Sequence, residues 1–244
     1  MITELMLVEG VSDVLLISYY LQNVYGWNHE KKNQLGIVAF DDYERIENLT
    51  KNGNQLILCG IGGNGKFQHF VDQHRITSMI AERDISSLIV VTDRDNSSTK
   101  KIEIRISKVI EGVLLKSGEW KSNVIMDSFG QKKMIDTYLL IIPEDKSGAL
   151  EKVIIDALKD IPEEAELMEE VMQFIDSLKE GVVPELNNEN KADKAAVGTF
   201  FSARSPQNAM RSFGVFISQI DWGKSDSLNK LFIPFGCLGK DKRS

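Results

Sequence analysis

Two short apolar segments that end in acidic side chains constrain this chain more than any other feature of its sequence. Residues 5–8 lead directly into Glu9, and residues 88–91 lead through a threonine to Asp93 and Asp95. Short apolar segments of this kind predict buried strands. Buried parallel strands end together at the carboxyl edge of a sheet, where α/β proteins hold their ligands. The acidic side chains are therefore predicted to meet at that edge.

Three carboxylates at one sheet edge repel one another unless a positive charge lies between them. Asp93 and Asp95 share a face if the chain stays extended, because alternate residues of a strand point the same way. Taken singly, Glu9 also suits a helix N-terminus, and the two aspartates also suit a polar turn. Taken together they predict a site for Mg²⁺ or Mn²⁺, since hard cations prefer carboxylate oxygens.

The remaining pattern predicts an α/β fold followed by helices. Further strands are expected at 36–40, 55–59, 123–126 and 135–142, with helices at about 11–25, 66–82 and 98–116. After residue 145 the spacing is helical, at about 148–160, 163–180, 190–203, 207–219 and 226–233. We therefore expect a mostly parallel sheet flanked by helices over residues 1–145, and a helical extension over 146–244 that packs on it.

The two acidic motifs resemble the signature of the Toprim domain, which is shared by topoisomerases, primases and OLD-family nucleases. That signature is a Glu-Gly after the first strand and an Asp-x-Asp after a later one, matched here by Glu9-Gly10 and by Asp93 with Asp95. Asp13 matches the longer Glu-Gly-x-x-Asp form of the OLD-like branch. The resemblance covers residues 1–145 well and the remainder loosely.

The resemblance implies metal-dependent hydrolysis of phosphodiester bonds in nucleic acid, with DNA as the expected substrate. In the OLD-like branch a further acid on a later helix and a later lysine complete a two-metal site, and Glu151 and Lys194 occupy matching places. Asp13 and Glu151 would then hold a second ion. Glu9 would either bind metal or act as a general acid or base. Both Glu151 and Lys194 also suit an ordinary surface helix.

A glycine-rich segment, residues 60–67, nearly matches the P-loop pattern between a strand and a helix. Phe67 stands where the pattern requires a hydroxyl for magnesium, so a P-loop phosphotransferase is not favoured. The backbone amides and Lys66 are still expected to contact a substrate phosphate.

A group of basic side chains follows the second acidic motif. Lys101, Arg105 and Lys108 share one helical face at spacings of four and three residues. They predict either a solvated helix face or a track for a nucleic-acid backbone.

Composition limits the alternatives. The 244 residues are 42% hydrophobic and 27% charged, which is typical of a globular protein. The net charge of −7 argues against a protein that simply coats DNA. No apolar run is long enough to cross a membrane and no signal peptide is recognisable, so a cytoplasmic location is expected.

A second interpretation keeps the fold but not the activity. The chain would then be a non-enzymatic Toprim-like module that binds nucleic acid or a nucleotide as a subunit of a complex. OLD-type proteins join this domain to an ATPase, so a separately encoded ATPase is an expected partner.

Overall fold

The strands of the computed structural model assemble into one mixed sheet. The model describes residues 1–110, 113–126, 129–179, 181–209 and 211–240. Within these residues the strands are β1 (Thr3–Val8), β2 (Asn28–Glu30), β3 (Glu44–Lys51), β4 (Asn54–Ile61), β5 (Ile85–Asp93), β6 (Lys121–Met126) and β7 (Lys132–Ile142). Their order across the sheet is β2-β3-β4-β1-β5-β7-β6.

The centre of the sheet is parallel and its two flanks are antiparallel. Strands β4, β1, β5 and β7 run in the same direction, whereas β2 pairs with β3, β3 with β4, and β6 with β7 in antiparallel fashion. The expected α/β class is thus observed, but the sheet is mixed and not mostly parallel. The four parallel strands place their carboxyl ends along one edge, which positions the loops that carry the acidic motifs.

Helices cover both faces of the sheet. They are α1 (Val11–Tyr25), α2 (Phe67–Gln73), α3 (Ile76–Glu82), α4 (Thr99–Val109), α5 (Leu150–Asp160), α6 (Pro162–Lys179), α7 (Glu189–Arg204), α8 (Phe213–Ile217) and α9 (Asp226–Leu231). Alternate strand residues face opposite sides. One side packs against α1 and α5–α9, and the other packs against α2, α3 and α4. The domain boundary predicted at residue 145 falls between β7 and α5 and stays a prediction.

Residues 36–40 do not form the predicted strand, and the charged segment after them forms β3 instead. The charge of this segment gave no strand pattern. In the structure Glu44 is buried beside His74, 3.2 Å away, and Glu47 pairs with His29 and a neighbouring arginine. Paired charges can lie within a sheet, so the strand tolerates them.

The turn between β3 and β4 has a clear sequence signal that the strand predictions missed. Asn52 and Gly53 have φ angles of 50° and 79°. An Asn-Gly pair favours a two-residue hairpin turn with both central residues at positive φ. This turn sets the register in which β3 pairs with β4.

Three predicted helices are shorter than expected, and among the described residues the one at 207–219 is reduced to α8. The segment 66–82 divides into α2 and α3 at Arg75, which has a left-handed φ of 49°. The break allows the preceding residue, His74, to turn into the core. Helix α4 ends at Val109 and not at 116. Within the described residues, none of the helices is both long and apolar enough to cross a membrane.

Candidate metal centre

The first two acidic motifs are brought together by the pairing of β1 with β5. Val8 lies beside Val91 in the parallel register, so the residue after β1, Glu9, faces the end of β5. One oxygen of its side chain, Oε1, accepts a hydrogen bond from the Thr92 hydroxyl and another, of 3.0 Å, from the backbone N–H of Asp93. Glu9 is 6% exposed. The predicted meeting of the two motifs at the carboxyl edge is thus present in the structure.

Asp13 is held at the same edge by the start of α1. Its Oδ2 accepts a hydrogen bond of 3.0 Å from the backbone N–H of Gly10, and its side chain is buried. Helix α1 lies close to β4 because Gly60 has no side chain. A Cβ there would lie 2.9 Å from Val14 Cγ2 and 3.0 Å from the carbonyl oxygen of Gly10. A larger residue in β4 would therefore displace the turn that follows Glu9.

The loop after β5 is fastened to the start of α5. Asp95 has a φ of 47°, and it exchanges two backbone hydrogen bonds with Gly148, at 2.7 and 3.1 Å. This contact places the N-terminus of α5 beside Asp93, whose Oδ1 accepts a 3.1 Å hydrogen bond from the backbone N–H of Leu150. Glu151 follows in the first turn of the helix. The later acid expected from the sequence is therefore next to the earlier ones.

Helix α7 closes another side of the cluster. The Nζ atom of Lys194 lies 3.9 Å from Oε1 of Glu151. Asn190, one turn earlier, approaches Asp95 with its amide nitrogen 3.5 Å from Oδ1. The structure thus brings together the acids and the lysine that the sequence proposed for one site.

Burial and mutual repulsion make these carboxyl groups hard to ionise. Burial, and then the charges of Asp13 and Glu9, raise the pKa of Asp93 to about 9. Burial, and then the charge of Glu9, raise the pKa of Asp13 to about 7. Burial also raises the pKa of Glu9, although hydrogen bonds from Thr92 and Asp93 and the charge of Arg105 oppose it. A cation at this edge would relieve the repulsion.

The donor chemistry of the cluster fits a hard divalent cation, but its side chains are not arranged to coordinate one. Carboxylate oxygens are the ligands that Mg²⁺ and Mn²⁺ prefer. Among the described residues, however, no three acidic, histidine or cysteine side chains stand in a metal-coordinating arrangement. Oxygens of Glu9, Asp13 and Asp93 accept internal hydrogen bonds instead. Each of these bonds uses one oxygen of its carboxylate, so an ion would be bound through the other oxygens after the side chains turn toward it.

The glycine-rich segment lies at the same edge, where Gly63 and Lys66 already contact other residues of the protein. The backbone N–H of Gly63 donates a 2.7 Å hydrogen bond to the carbonyl oxygen of Glu9. Lys66 has its Nζ 3.5 Å from Asp41 Oδ2 and 4.5 Å from the centre of the Tyr43 ring. Lys66 would have to leave these contacts to reach a phosphate.

Phe67 occupies the position at which the P-loop pattern requires a hydroxyl. It begins α2 and is 3% exposed, within the hydrophobic core on that side of the sheet. Its position serves packing, and a magnesium-binding hydroxyl there would be buried without a role.

The three basic residues of α4 divide into two groups. Arg105 turns toward the acidic cluster, with one guanidinium nitrogen 3.3 Å from the Thr92 hydroxyl oxygen. Lys101 and Lys108 are exposed. Arg105 therefore belongs to the candidate centre, while the two lysines lie on the helix surface beside it.

Sequence reasoning missed several residues that shape the centre. Thr92 holds Glu9, Gly148 holds Asp95, and Asn190 approaches the same aspartate. Arg94 lies between the two aspartates, yet its Nε donates a 2.8 Å hydrogen bond to the carbonyl oxygen of Pro143. The threonine directly before the Asp-x-Asp motif could have been recognised in the sequence. The contacts between residues that are far apart in the sequence could not.

Comparisons with known proteins give a family but no activity. The family model described as "Protein of unknown function (DUF3226)" matches residues 3–233. No curated protein matches the chain. Among solved structures, the crystal structure of a hypothetical protein from Pyrococcus horikoshii OT3 is similar at a TM-score of 0.47 and 14% sequence identity, over 91% of this chain and 96% of that chain. Neither description names a substrate.

Proposed function

We propose that this chain, which belongs to the DUF3226 family of proteins of unknown function, catalyses metal-dependent hydrolysis of phosphodiester bonds in nucleic acid. The observation that carries the proposal is the gathering of acids from β1, β5, α1 and α5 at one sheet edge, where burial and repulsion raise the pKa of Asp93 to about 9. A cluster that strongly disfavours its own charge suits a functional cation site better than a structural ion-pair network.

Each side chain has a role in this proposal. Glu9, Asp93 and Asp95 would hold a first Mg²⁺ or Mn²⁺, and Asp13 with Glu151 would hold a second. A pair of such ions activates water and stabilises the attacking and leaving oxygens of phosphate.

The neighbouring cations would act on charge and orientation. Arg105 would orient Glu9 through Thr92, and its positive charge would help to keep the Glu9 carboxylate ionised. Lys194, which is exposed beside Glu151, would offset the negative charge that builds on the phosphate.

The proposed substrate is DNA, which would meet the protein through local cations, because the chain as a whole carries a net charge of −7. Lys101 and Lys108 are exposed on α4, whose N-terminus follows the Asp-x-Asp loop. Lys66 lies at the same sheet edge on the glycine-rich segment. Contacts of this kind position a backbone without reading its sequence.

A second candidate function is binding without hydrolysis. It is favoured by the lack, among the described residues, of three metal-ligating side chains already in a coordinating arrangement. The chain would then serve as a Toprim-like subunit that binds nucleic acid or a nucleotide, with a separately encoded ATPase as a candidate partner.

Cleavage assays separate the two candidates. Plasmid and single-stranded DNA should be cut in the presence of Mn²⁺, and Glu9→Gln should lower the rate at least about 100-fold, the lower end of the contribution of an acid–base group. The glutamine can still accept the hydrogen bonds of Thr92 and Asp93, so the fold should persist. Glu170→Gln, at an exposed position of α6, is the matched control. DNA left intact by pure wild-type protein in Mg²⁺ and in Mn²⁺ would favour the binding module.

A further inference from the structure

A pocket of about 330 Å³ adjoins the candidate metal centre. It lies between α5, α7 and α8, and two residues of the centre, Glu151 and Lys194, line it. A ligand in this pocket would therefore contact the same side chains as a phosphate held at the centre. The pocket has no part in the function proposed above.

The inner wall of the pocket is aromatic. Phe201 and Phe216 are buried and stack with ring centres 5.2 Å apart, at an angle of 22° between planes. Phe213, which is partly exposed, meets Phe201 edge to face with ring centres 5.4 Å apart. These contacts cover Phe201 and Phe216, so of these three rings the partly exposed Phe213 is the one that can stack on a flat aromatic ligand.

A glycine in the middle of α7 faces the open space of the pocket. Gly198 lines it, and a Cβ added at this position would meet no atom within 4 Å. Glycine inside a helix is less stable than alanine. Packing does not require glycine here, so a larger side chain at this position would extend into the pocket.

The rim of the pocket carries positive charge. Lys194 and the exposed Arg211 both line it together with one acid, Glu151, which lies 3.9 Å from Lys194, and Ser12 adds a hydroxyl. Two cations beside an aromatic wall complement a ligand that joins a flat ring to an anionic group. This arrangement contrasts with the net negative charge of the chain.

We propose that this pocket takes one unstacked base of a single-stranded stretch of DNA, next to the phosphate at the metal centre. The proposal rests on the function proposed above. A volume of about 330 Å³ lies at the lower end of the range of roughly 300–1,000 Å³ for ligand pockets, so it suits a single ring system and not a base pair. A base within a duplex has its faces covered, so the pocket selects single-stranded or locally opened DNA.

The test compares bases with a bare backbone. Fluorescence anisotropy would measure the binding of labelled oligothymidylate and of an abasic oligomer of equal length, with Ca²⁺ replacing Mg²⁺ to prevent cutting. Wild-type protein should bind the oligothymidylate at least about tenfold more tightly, as expected when a base stacks on aromatic rings.

Two variants of one residue locate the effect. Gly198→Leu should fill the pocket and reduce oligothymidylate binding to the abasic level, whereas Gly198→Ala should keep the preference and raise the melting temperature. Thermal melts with and without Mn²⁺ check that each variant folds and retains its metal response. If Gly198→Leu does not fold, Ser202→Leu, one turn later on the same wall, provides the same block.

Four results would count against the pocket or the centre in distinguishable ways. Equal binding of both oligomers, binding of neither, or a base preference that survives the leucine substitution would overturn the pocket while leaving the metal centre standing. A base preference that Gly198→Leu removes, in a protein whose melting does not respond to Mn²⁺, would support the pocket and overturn the metal-dependent function.

Discussion

Replacing one carboxyl group of the centre should make the metal-free protein more stable. Asp93→Asn keeps the shape of the side chain and the acceptor for the Leu150 N–H, but it cannot ionise. A carboxyl group whose pKa is raised by folding contributes stability that is complete below its ordinary pKa and is lost as the pH rises toward the folded value. The wild-type protein should therefore lose stability at neutral pH, whereas the variant should not.

The size of the penalty follows from the two pKa values of Asp93, 3.8 ordinarily and about 9 in the folded protein. Each pH unit between them lowers the free energy of unfolding by about 1.4 kcal/mol, so the loss at pH 7 is at most about 4 kcal/mol. Coupling to Asp13 and Glu9 shares this loss among three groups. We expect Asp93→Asn to gain about 1–3 kcal/mol, which corresponds to roughly 2–10 °C in melting temperature for a chain of this size.

Metal should offset the loss of stability in the wild-type protein. At a concentration of Mg²⁺ or Mn²⁺ about 100 times the dissociation constant, the wild-type protein should gain about 2.7 kcal/mol, whereas Asp93→Asn should gain much less. Asp84→Asn is the matched control, because Asp84 directly precedes β5, at its other end, and its side chain is 97% exposed. Calorimetric melts would measure all three proteins. A variant less stable than the wild type without metal, or with an unchanged metal response, would refute the reasoning.

Three further predictions test the electrostatics, the packing and the DNA track. The metal-free stability of the wild type relative to Asp93→Asn should fall from pH 4 to pH 9 in thermal melts, because the raised pKa of Asp93 makes its ionisation unfavourable in the folded state; a constant difference would contradict this. Gly60→Ala should cost about 1–3 kcal/mol in urea unfolding, since its Cβ would crowd the turn after β1, whereas Gly65→Ala, where a Cβ meets no atom within 4 Å, should cost less than about 1 kcal/mol. Reversing Lys101 and Lys108 to glutamate should weaken oligonucleotide binding across sequences and lower its salt slope by about 2; an unchanged slope in anisotropy titrations would remove α4 from the track.

The strands at the centre of the sheet could be read from the sequence because they are buried on both faces. A continuous apolar run such as residues 88–91 has few alternatives to a central strand, and the acid that follows it then has to lie at the edge. Four of the five helices expected in the C-terminal half were equally readable from their periodicity, whereas among the described residues the helix expected at 207–219 is present only as α8 (Phe213–Ile217). For the same reason, the positions of Glu9, Asp93 and Asp95 were predictable.

The remaining features depend on contacts that a local pattern does not contain. Strand β3 was not predicted because Glu44 and Glu47 are charged, and their partners, His74 and His29, lie 30 and 18 residues away in sequence. The helical spacing of Arg105 left open whether its charge is solvated, and the position of α4 turns it toward Thr92. Whether a charge is solvated or paired is decided by tertiary structure, which a local pattern does not contain.

The two backbone hydrogen bonds between Asp95 and Gly148 link the two parts of the chain at the candidate metal centre. If the polypeptide were divided between β7 and α5, each fragment would keep only some of the acids, and a large apolar surface of the sheet would lose its cover. Reassembly of the fragments would then rebuild the cation site, so divalent metal would act as a ligand for the assembled pair. An ion bound at this edge would thus connect N-terminal and C-terminal halves as well as carry chemistry.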